Sequence, residues 1–156
     1  MVAAGSIFDG RGLAAALVLG AVGVNVGTRF LASRKATISD GYKQAILAAA
    51  SQDAVKFDAL NDLLPSPGTK GYGTVLRSLT TPFIDELQAQ PELARRDAQR
   101  LLGVLKRAIQ AGNVHEVMPT AGQTVGGIHE VLPAAEIVQR MVSEAERALG
   151  RAPRPA

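Results

Sequence analysis

Two glycine-rich stretches near the start of the chain hold the residues whose types and spacing could do chemistry. The first is Gly5-Ser6-Ile7-Phe8-Asp9-Gly10-Arg11-Gly12, and the second is Gly27-Thr28-Arg29-Phe30. Glycine lets the backbone come close to a ligand and adopt positive φ, so several N–H groups can converge on one dianion. A helix beginning near Gly10 would add the positive end of its dipole. Two such turns side by side make a physical phosphate site. On spacing alone, they also fit simple tight connections between strands and helices.

Other chemistries have less to draw on. The chain has no cysteine, which excludes disulfides, thiolate metal sites and a cysteine nucleophile. Its two histidines are isolated, in Asn113-Val114-His115-Glu116 and Ile128-His129-Glu130. Both read as surface or packing residues, with no partner arrangement around them. No Ser/His/Asp set and no metal-ligand cluster emerges, so no catalytic residue and no metal ligand is assigned.

The elements that must position the two turns can be read from pattern. Met1-Val2-Ala3-Ala4 is the end of a buried strand running into the first turn. Gly12 to Gly20 is an Ala/Leu helix with Asp9 as candidate N-cap and Gly20 or Gly23 at its end. Val22-Gly23-Val24-Asn25-Val26 is a second strand, β-branched at alternate positions, which stops at the second turn. Strand, turn, helix, strand, turn is a βαβ unit with parallel strands. Its crossover is right-handed in nearly all proteins, so both turns lie at the C-terminal end of the sheet.

The rest of the chain reads as mostly helical. A helix over Ser39–Ala50 would place Ala45, Ile46 and Ala49 on one face. Val55-Lys56-Phe57 is a short strand outside the unit, and Pro65–Gly73 is a loop on turn chemistry. Pro91 to Ala111 reads as one helix ended by Gly112. A last helix spans Pro133–Leu149, with Ile137, Val138, Met141, Val142 and Leu149 inward and a Glu136–Arg140 pair on its surface. The segments are thus 1–36, the βαβ unit; 37–150, a helical C-terminal part of the same domain; and 151–156, a disordered tail.

Length and charge set outer bounds. The 156 residues suffice for one ordinary domain, and 47% hydrophobic with 20% charged residues indicates a globular chain. The net charge is +3, yet no basic run exceeds two residues, and acids interleave with the bases. Solvated helix faces explain this pattern, and no nucleic-acid partner is expected. Gly12 to Thr28 is uncharged but holds four glycines and Asn25, at the short limit for a membrane span. No membrane partner is expected, and the lack of cysteine fits a cytoplasmic protein.

The residues of the turns resemble a known family. Ala3-Ala4-Gly5-Ser6-Ile7-Phe8-Asp9-Gly10-Arg11-Gly12-Leu13-Ala14-Ala15-Ala16-Leu17, then Gly23-Val24-Asn25-Val26-Gly27-Thr28-Arg29-Phe30-Leu31-Ala32, is similar to the seventh and eighth strand turns of nitronate monooxygenases, once called 2-nitropropane dioxygenases. FMN-dependent enoyl-acyl-carrier-protein reductases share the pattern. Ala121-Gly122-Gln123 and Leu132-Pro133-Ala134-Ala135-Glu136-Ile137-Val138 resemble the family's C-terminal segment, in the right order.

The resemblance implies an α/β fold: the C-terminal fragment of an FMN-binding (β/α)8 TIM barrel, comprising its last βαβ unit, followed by a mostly helical extension. It implies FMN as cofactor, with the backbone N–H groups of Gly5, Ser6, Gly27 and Thr28 on its phosphate and Gln123 near the flavin. The family's usual Gly-Gly is Gly5-Ser6 here, and serine at positive φ would cost about 1 kcal/mol. The implied activity is oxidation of a small alkyl nitronate with oxygen to a carbonyl compound and nitrite. Alternatives are an enoyl-thioester reductase or a non-catalytic flavin-binding remnant. The family's Gly-x-Glu-Ala-Gly-Gly-His segment, whose histidine is implicated in substrate activation, has no counterpart here. Met1 falling within a strand suggests a truncated gene, a misplaced start or a fragment, with a separate N-terminal barrel half as partner.

Overall fold

The computed structural model describes residues 1–58, 63 and 76–151 of the chain. The loop expected over Pro65–Gly73 lies outside the described residues, as does 152–156 of the expected tail. The chain divides into two compact units: Met1–Ser51 with Thr124–Ala156, and Gln52–Gln123.

In the first unit, β1 (Val2–Ala4) and β2 (Gly23–Asn25) pair in parallel, with Val2 opposite Gly23 and Ala4 opposite Asn25. Helix α1 (Gly10–Val18) makes the crossover. Asp9 is its N-cap, and its carboxylate accepts from the Gly12 N–H at 3.0 Å. The helix ends in a left-handed Gly20 at φ +90. There the Gly20 N–H donates to the Leu17 carbonyl and the Ala21 N–H to that of Ala16, both at 3.0 Å. Only glycine takes that turn without strain. The βαβ unit read from the sequence is therefore present, with α1 starting two residues earlier than expected.

Short α2 (Thr28–Leu31) and α3 (Asp40–Ala48) follow, the latter capped by Ser39, whose hydroxyl accepts from the Tyr42 N–H at 3.1 Å. The buried face of α3 is Tyr42, Lys43 and Ile46. Ala45, expected inward, is exposed, because the bulkier Tyr42 sets which face turns to the core. Burial pushes the Tyr42 phenol up to about 12.

In the second unit, β3 (Ala54–Phe57) pairs antiparallel with β4 (Leu76–Leu79). The first of these was expected; its partner was not, and the segment 37–150 is to that extent less helical than read. Helix α4 (Pro82–Ala89) has Thr81 at its N-cap and Pro82 in its first turn. The Thr81 hydroxyl accepts from the Ile84 N–H and donates to the Val117 carbonyl at 2.7 Å.

The single helix expected over Pro91–Ala111 is two: α5 (Leu93–Arg96) and α6 (Ala98–Gln110). Asp97 breaks them at φ −126, ψ +31, and its carboxylate is held by Arg100, which also binds Glu86. Aspartate favours such junctions because its side chain competes for local polar groups. Gly112 ends α6 at φ +72, as expected. Leu101 and Leu105 join Phe83, Ile84, Leu87 and Leu93 in the core of this unit, and α7 (Val114–Val117) follows. Ile109 is 60% exposed.

The chain then re-enters the first unit through a 3-10 turn, Gln123–Gly127, and ends in α8 (Ala134–Arg151). Arg151 closes that helix rather than opening a tail. The buried stripe of α8 is Ile137, Met141 and Ala145. Val138, Val142 and Leu149 were expected inward and are exposed at 50%, 43% and 38%. Val138 and Val142 fall on the neighbouring stripe of the helix, about 100° round from Ile137 and Met141, whereas Leu149 lies one turn beyond Ala145 on the same row. No described helix is long and apolar enough to cross a membrane.

Helix α8 packs on α1, and the approach is closest at Gly10. A Cβ built there would lie 2.3 Å from the Glu144 Cβ and 2.4 Å from the Met141 carbonyl oxygen. Gly10→Ala is expected to destabilise the first unit by about 1–3 kcal/mol, as overpacking against backbone does. Gly23→Ala, whose Cβ would meet nothing within 4 Å, serves as control. Asp9→Ala should cost about 1 kcal/mol through the lost cap. Urea unfolding midpoints of the three variants, followed by far-ultraviolet circular dichroism, check both expectations.

Candidate functional site

The parallel pairing of β1 with β2 brings Ala4 and Asn25 level, so the chain leaves both strands at the same end. The turns holding Gly5-Ser6 and Gly27-Thr28 therefore start side by side. Gly5 has φ +86 and Ser6 φ +56, two successive left-handed residues, and Ser6 is the one non-glycine with positive φ among the described residues. The strain foreseen at Ser6 is thus real in the backbone. A Cβ added at Gly5 or at Gly27 would meet nothing within 4 Å, so both backbones face open space. Bare, approachable backbone of this kind can accept a phosphate.

Gly27 departs from the reading in one respect. It is the N-cap of α2 at φ −96, ψ −75, a conformation open to any residue, so its value is access rather than handedness. No side chain caps α2, and the Gly27 carbonyl takes the Phe30 N–H at 2.9 Å. Thr28 is half-buried as the first helical residue.

Helix α1 does not offer its dipole to a phosphate in the way expected. The Gly10 N–H donates to Glu144 at 2.9 Å, and the Gly12 N–H to Asp9. Two carboxylates already occupy that end, and they satisfy it as an anion would. For Asp9, burial alone would raise the carboxyl group. Hydrogen bonds from the Gly12 N–H and Arg11 outweigh it and hold the group below the usual carboxylate range.

Gln123 is exposed and is the last residue of the second unit, whereas the four turn residues belong to the first. His115 lies half-buried in α7, and His129 is exposed in the first unit. No group of His, Asp and Glu residues able to hold a metal exists among the described residues.

Reasoning from the sequence missed a second concavity in the first unit. It is a cleft of about 990 Å³, lined in part by Phe8, Arg29, His129, Glu130, Arg140 and Arg147. None of the four turn residues lines it. At its wall Arg29 is only 7% exposed, and its Nη1 donates to the Glu130 carbonyl at 3.0 Å. Burial lowers the pKa of this guanidinium; Glu130 offsets that in part and Arg140 reinforces it. The sequence signal was an arginine directly after the Gly27-Thr28 turn, with nothing in its spacing to mark it as buried.

The parallel crossover unit, with its bare turns at the C-terminal strand ends, makes the first unit an α/β arrangement. The nitronate monooxygenase profile matches residues 1–144, and the chain belongs to that family of flavin-dependent oxidoreductases. It is 52% identical over 74 residues to nitronate monooxygenase npaC of Metarhizium robertsii, covering 46% of this chain and 20% of that protein. It is 28% identical over 174 residues to (3aS,4S,5R,7aS)-5-hydroxy-7a-methyl-1-oxo-octahydro-1H-indene-4-carboxyl-CoA dehydrogenase of Rhodococcus jostii, covering 93% of this chain and 49% of that one. The structure of FabK from Thermotoga maritima superposes with a TM-score of 0.76 at 32% identity, over 96% of this chain and 45% of that chain. The chain thus spans about half the length, or less, of the proteins it matches.

Ser6→Gly is expected to raise stability by about 0.5 kcal/mol, the relief of left-handed strain less the added freedom of the unfolded chain. The thermal midpoint of the variant against the parent chain reads this directly.

Proposed function

We propose that this chain is the FMN-phosphate-holding C-terminal part of a (β/α)8 barrel, in a flavin-dependent oxidoreductase of nitronate monooxygenase type. The observation that carries the reading is the paired emergence of two bare turns, Gly5-Ser6 and Gly27-Thr28, from one end of a parallel strand pair. Their backbone N–H groups would hold the phosphate, assisted by the Thr28 hydroxyl, and Gln123 would approach the flavin. The open Cα faces at Gly5 and Gly27 fit a ligand of phosphate size, and the left-handed Gly5-Ser6 pair turns the chain around it. When bound, FMN supplies electron transfer from an alkyl nitronate to oxygen, giving a carbonyl compound and nitrite. The residues described here anchor and orient; none is assigned a proton-transfer role.

The rest of the barrel is part of the proposal, whether it belongs to the same polypeptide or to a separate N-terminal half. Each strand of the β1–β2 sheet has one unpaired edge among the described residues, and such edges favour further pairing. Val138, Val142 and Leu149 on α8, with Val18, Leu19 and Val22 near the strands, form exposed apolar surface that further elements would cover. The lack of cysteine supports a cytoplasmic location.

An FMN-dependent enoyl-thioester reductase is the second reading. It is favoured by the likeness to a dehydrogenase named for a carboxyl-CoA compound, and it would require NAD(P)H.

Quenching of FMN fluorescence by the full chain tests the anchoring role. Binding should occur and should weaken at least about tenfold in Gly27→Asp, whose carboxylate would face the phosphate. The variant should fold, since a Cβ there meets nothing. A folded chain that leaves FMN fluorescence unchanged overturns autonomous anchoring. Equal binding by the variant overturns the assignment of the turns.

A further inference from the structure

We infer that the cleft walled by Arg29 is a second binding site, distinct from the glycine turns, for a small oxyanion carried on an apolar body. The inference starts from Arg29. Its side chain is buried, yet among the described residues its one hydrogen bond is to a neutral carbonyl, that of Glu130. Among the described residues no carboxylate lies within ion-pair distance of it. A buried cation without a paired anion is costly, and a guanidinium's remaining N–H groups are set in a planar fork that fits carboxylate or phosphate. Arg29 lines the cleft, and among the described residues none of its nitrogens is both fully enclosed and without a hydrogen bond.

The other charges of the cleft sharpen this picture. Arg11 is paired with Asp9 at 2.8 Å, and Arg140 is paired with both Glu130 and Glu136. Glu144 is committed to the Gly10 N–H. That leaves Arg29 and Arg147, whose Nε donates to the Ser143 carbonyl one turn back in α8 and which has no ion pair among the described residues. The carboxylates of the cleft are therefore already engaged, and two of its cations are not. Between them the surface is apolar, with Phe8, Ile128, Ile137 and Ala148 contributing. The volume of about 990 Å³ is ample for a drug-sized molecule, and a few convergent polar groups on an apolar wall are the usual make-up of such a site.

The rigidity of the wall supports binding rather than chance concavity. Gly127 leaves no room for a Cβ, which would fall 2.2 Å from the Phe8 ring, and Gly126 is packed equally hard on Ser51. The backbone that carries the Glu130 carbonyl is thus fixed from both sides. The site is assigned binding and no reaction. Its occupant is an aromatic or aliphatic carboxylate or phosphate monoester.

Backbone and arginine side-chain NMR shifts of the full chain, titrated with inorganic phosphate, phenyl phosphate and phenylpropionate, test the inference. The Gly27→Asp background removes any contribution from the glycine turns. Saturable shifts are expected at Arg29, Gly126–Glu130 and Arg147. The two aromatic probes should bind at least several-fold more tightly than inorganic phosphate, and their order separates a carboxylate site from a phosphate site. Arg29→Gln should weaken binding at least about tenfold, as loss of a charge-assisted bond does. Should Arg29→Gln fail to fold, the exposed Arg147→Gln, expected to weaken binding about threefold, carries the same test. Absence of saturable shifts at these residues in the folded chain overturns the inference. So does binding that Arg147→Gln, and any folded Arg29→Gln, leaves unchanged. Loss of FMN binding in the Gly27→Asp background with retained cleft shifts shows that the two sites are separate.

Discussion

The crossing of α1 with α8 at Gly10 is the contact on which the first unit depends. Here two helices from opposite ends of the chain approach until one residue has no space for a side chain. The same point carries a hydrogen bond from the Gly10 N–H to Glu144, so the steric and polar requirements coincide in one place. A helix start leaves N–H groups without partners, and burying such an end is tolerable only when something accepts from them. Asp9 accepts locally and Glu144 from 134 residues away. Moving either helix would expose both an unsatisfied donor and the apolar faces behind it.

That arrangement governs what the turns can do. Because α1 is neutralised by carboxylates, a phosphate held at the strand ends, as proposed, would rely on the backbone of the Gly5-Ser6 and Gly27-Thr28 turns. A left-handed pair at Gly5 and Ser6 is needed to swing the chain from β1 toward α1, and serine accepts the strain where glycine would not feel it. Within α2, the buried Arg29 ties the chain to the Glu130 carbonyl. Neighbouring residues thus serve opposite purposes: Thr28 belongs to the open end of the sheet, and Arg29 to a wall.

Much of the first unit was legible because local signals there agree. Asp9, Gly20 and the β-branched run of Val22, Val24 and Val26 each mark a boundary, and glycine spacing marks the turns. What escaped the sequence was decided by distant partners. Glu144 reads as an ordinary surface residue of an amphipathic helix, and nothing near it announces the Gly10 N–H. The inward stripe of α8 was misjudged because Val138 and Val142 are as apolar as Ile137 and Met141, and only α1 chooses between the two stripes. Asp97 looked like one polar residue within a periodic helix, whereas Arg100 and the short turn after Arg96 make it a junction. The strand at Leu76–Leu79 was hidden because a four-residue strand with an arginine and a serine carries little pattern of its own.

The order of the two units along the chain has a kinetic side. Residues 52–123 form one unit between the two parts of the other. During synthesis, the βαβ segment emerges before α8 and so has no α8 to pack against. The inserted unit can gather its own core from near neighbours in sequence, including Leu87, Leu93 and Leu101, before the last helix exists. The Gly10–Glu144 contact closes only at the end. The entropy of closing so long a loop grows slowly with length, about 0.6 kcal/mol per doubling. Prior collapse of the inserted segment shortens the effective loop further. The βαβ segment therefore settles only after residues that follow it in sequence, and the glycine turns stay without their packing partner until α8 arrives.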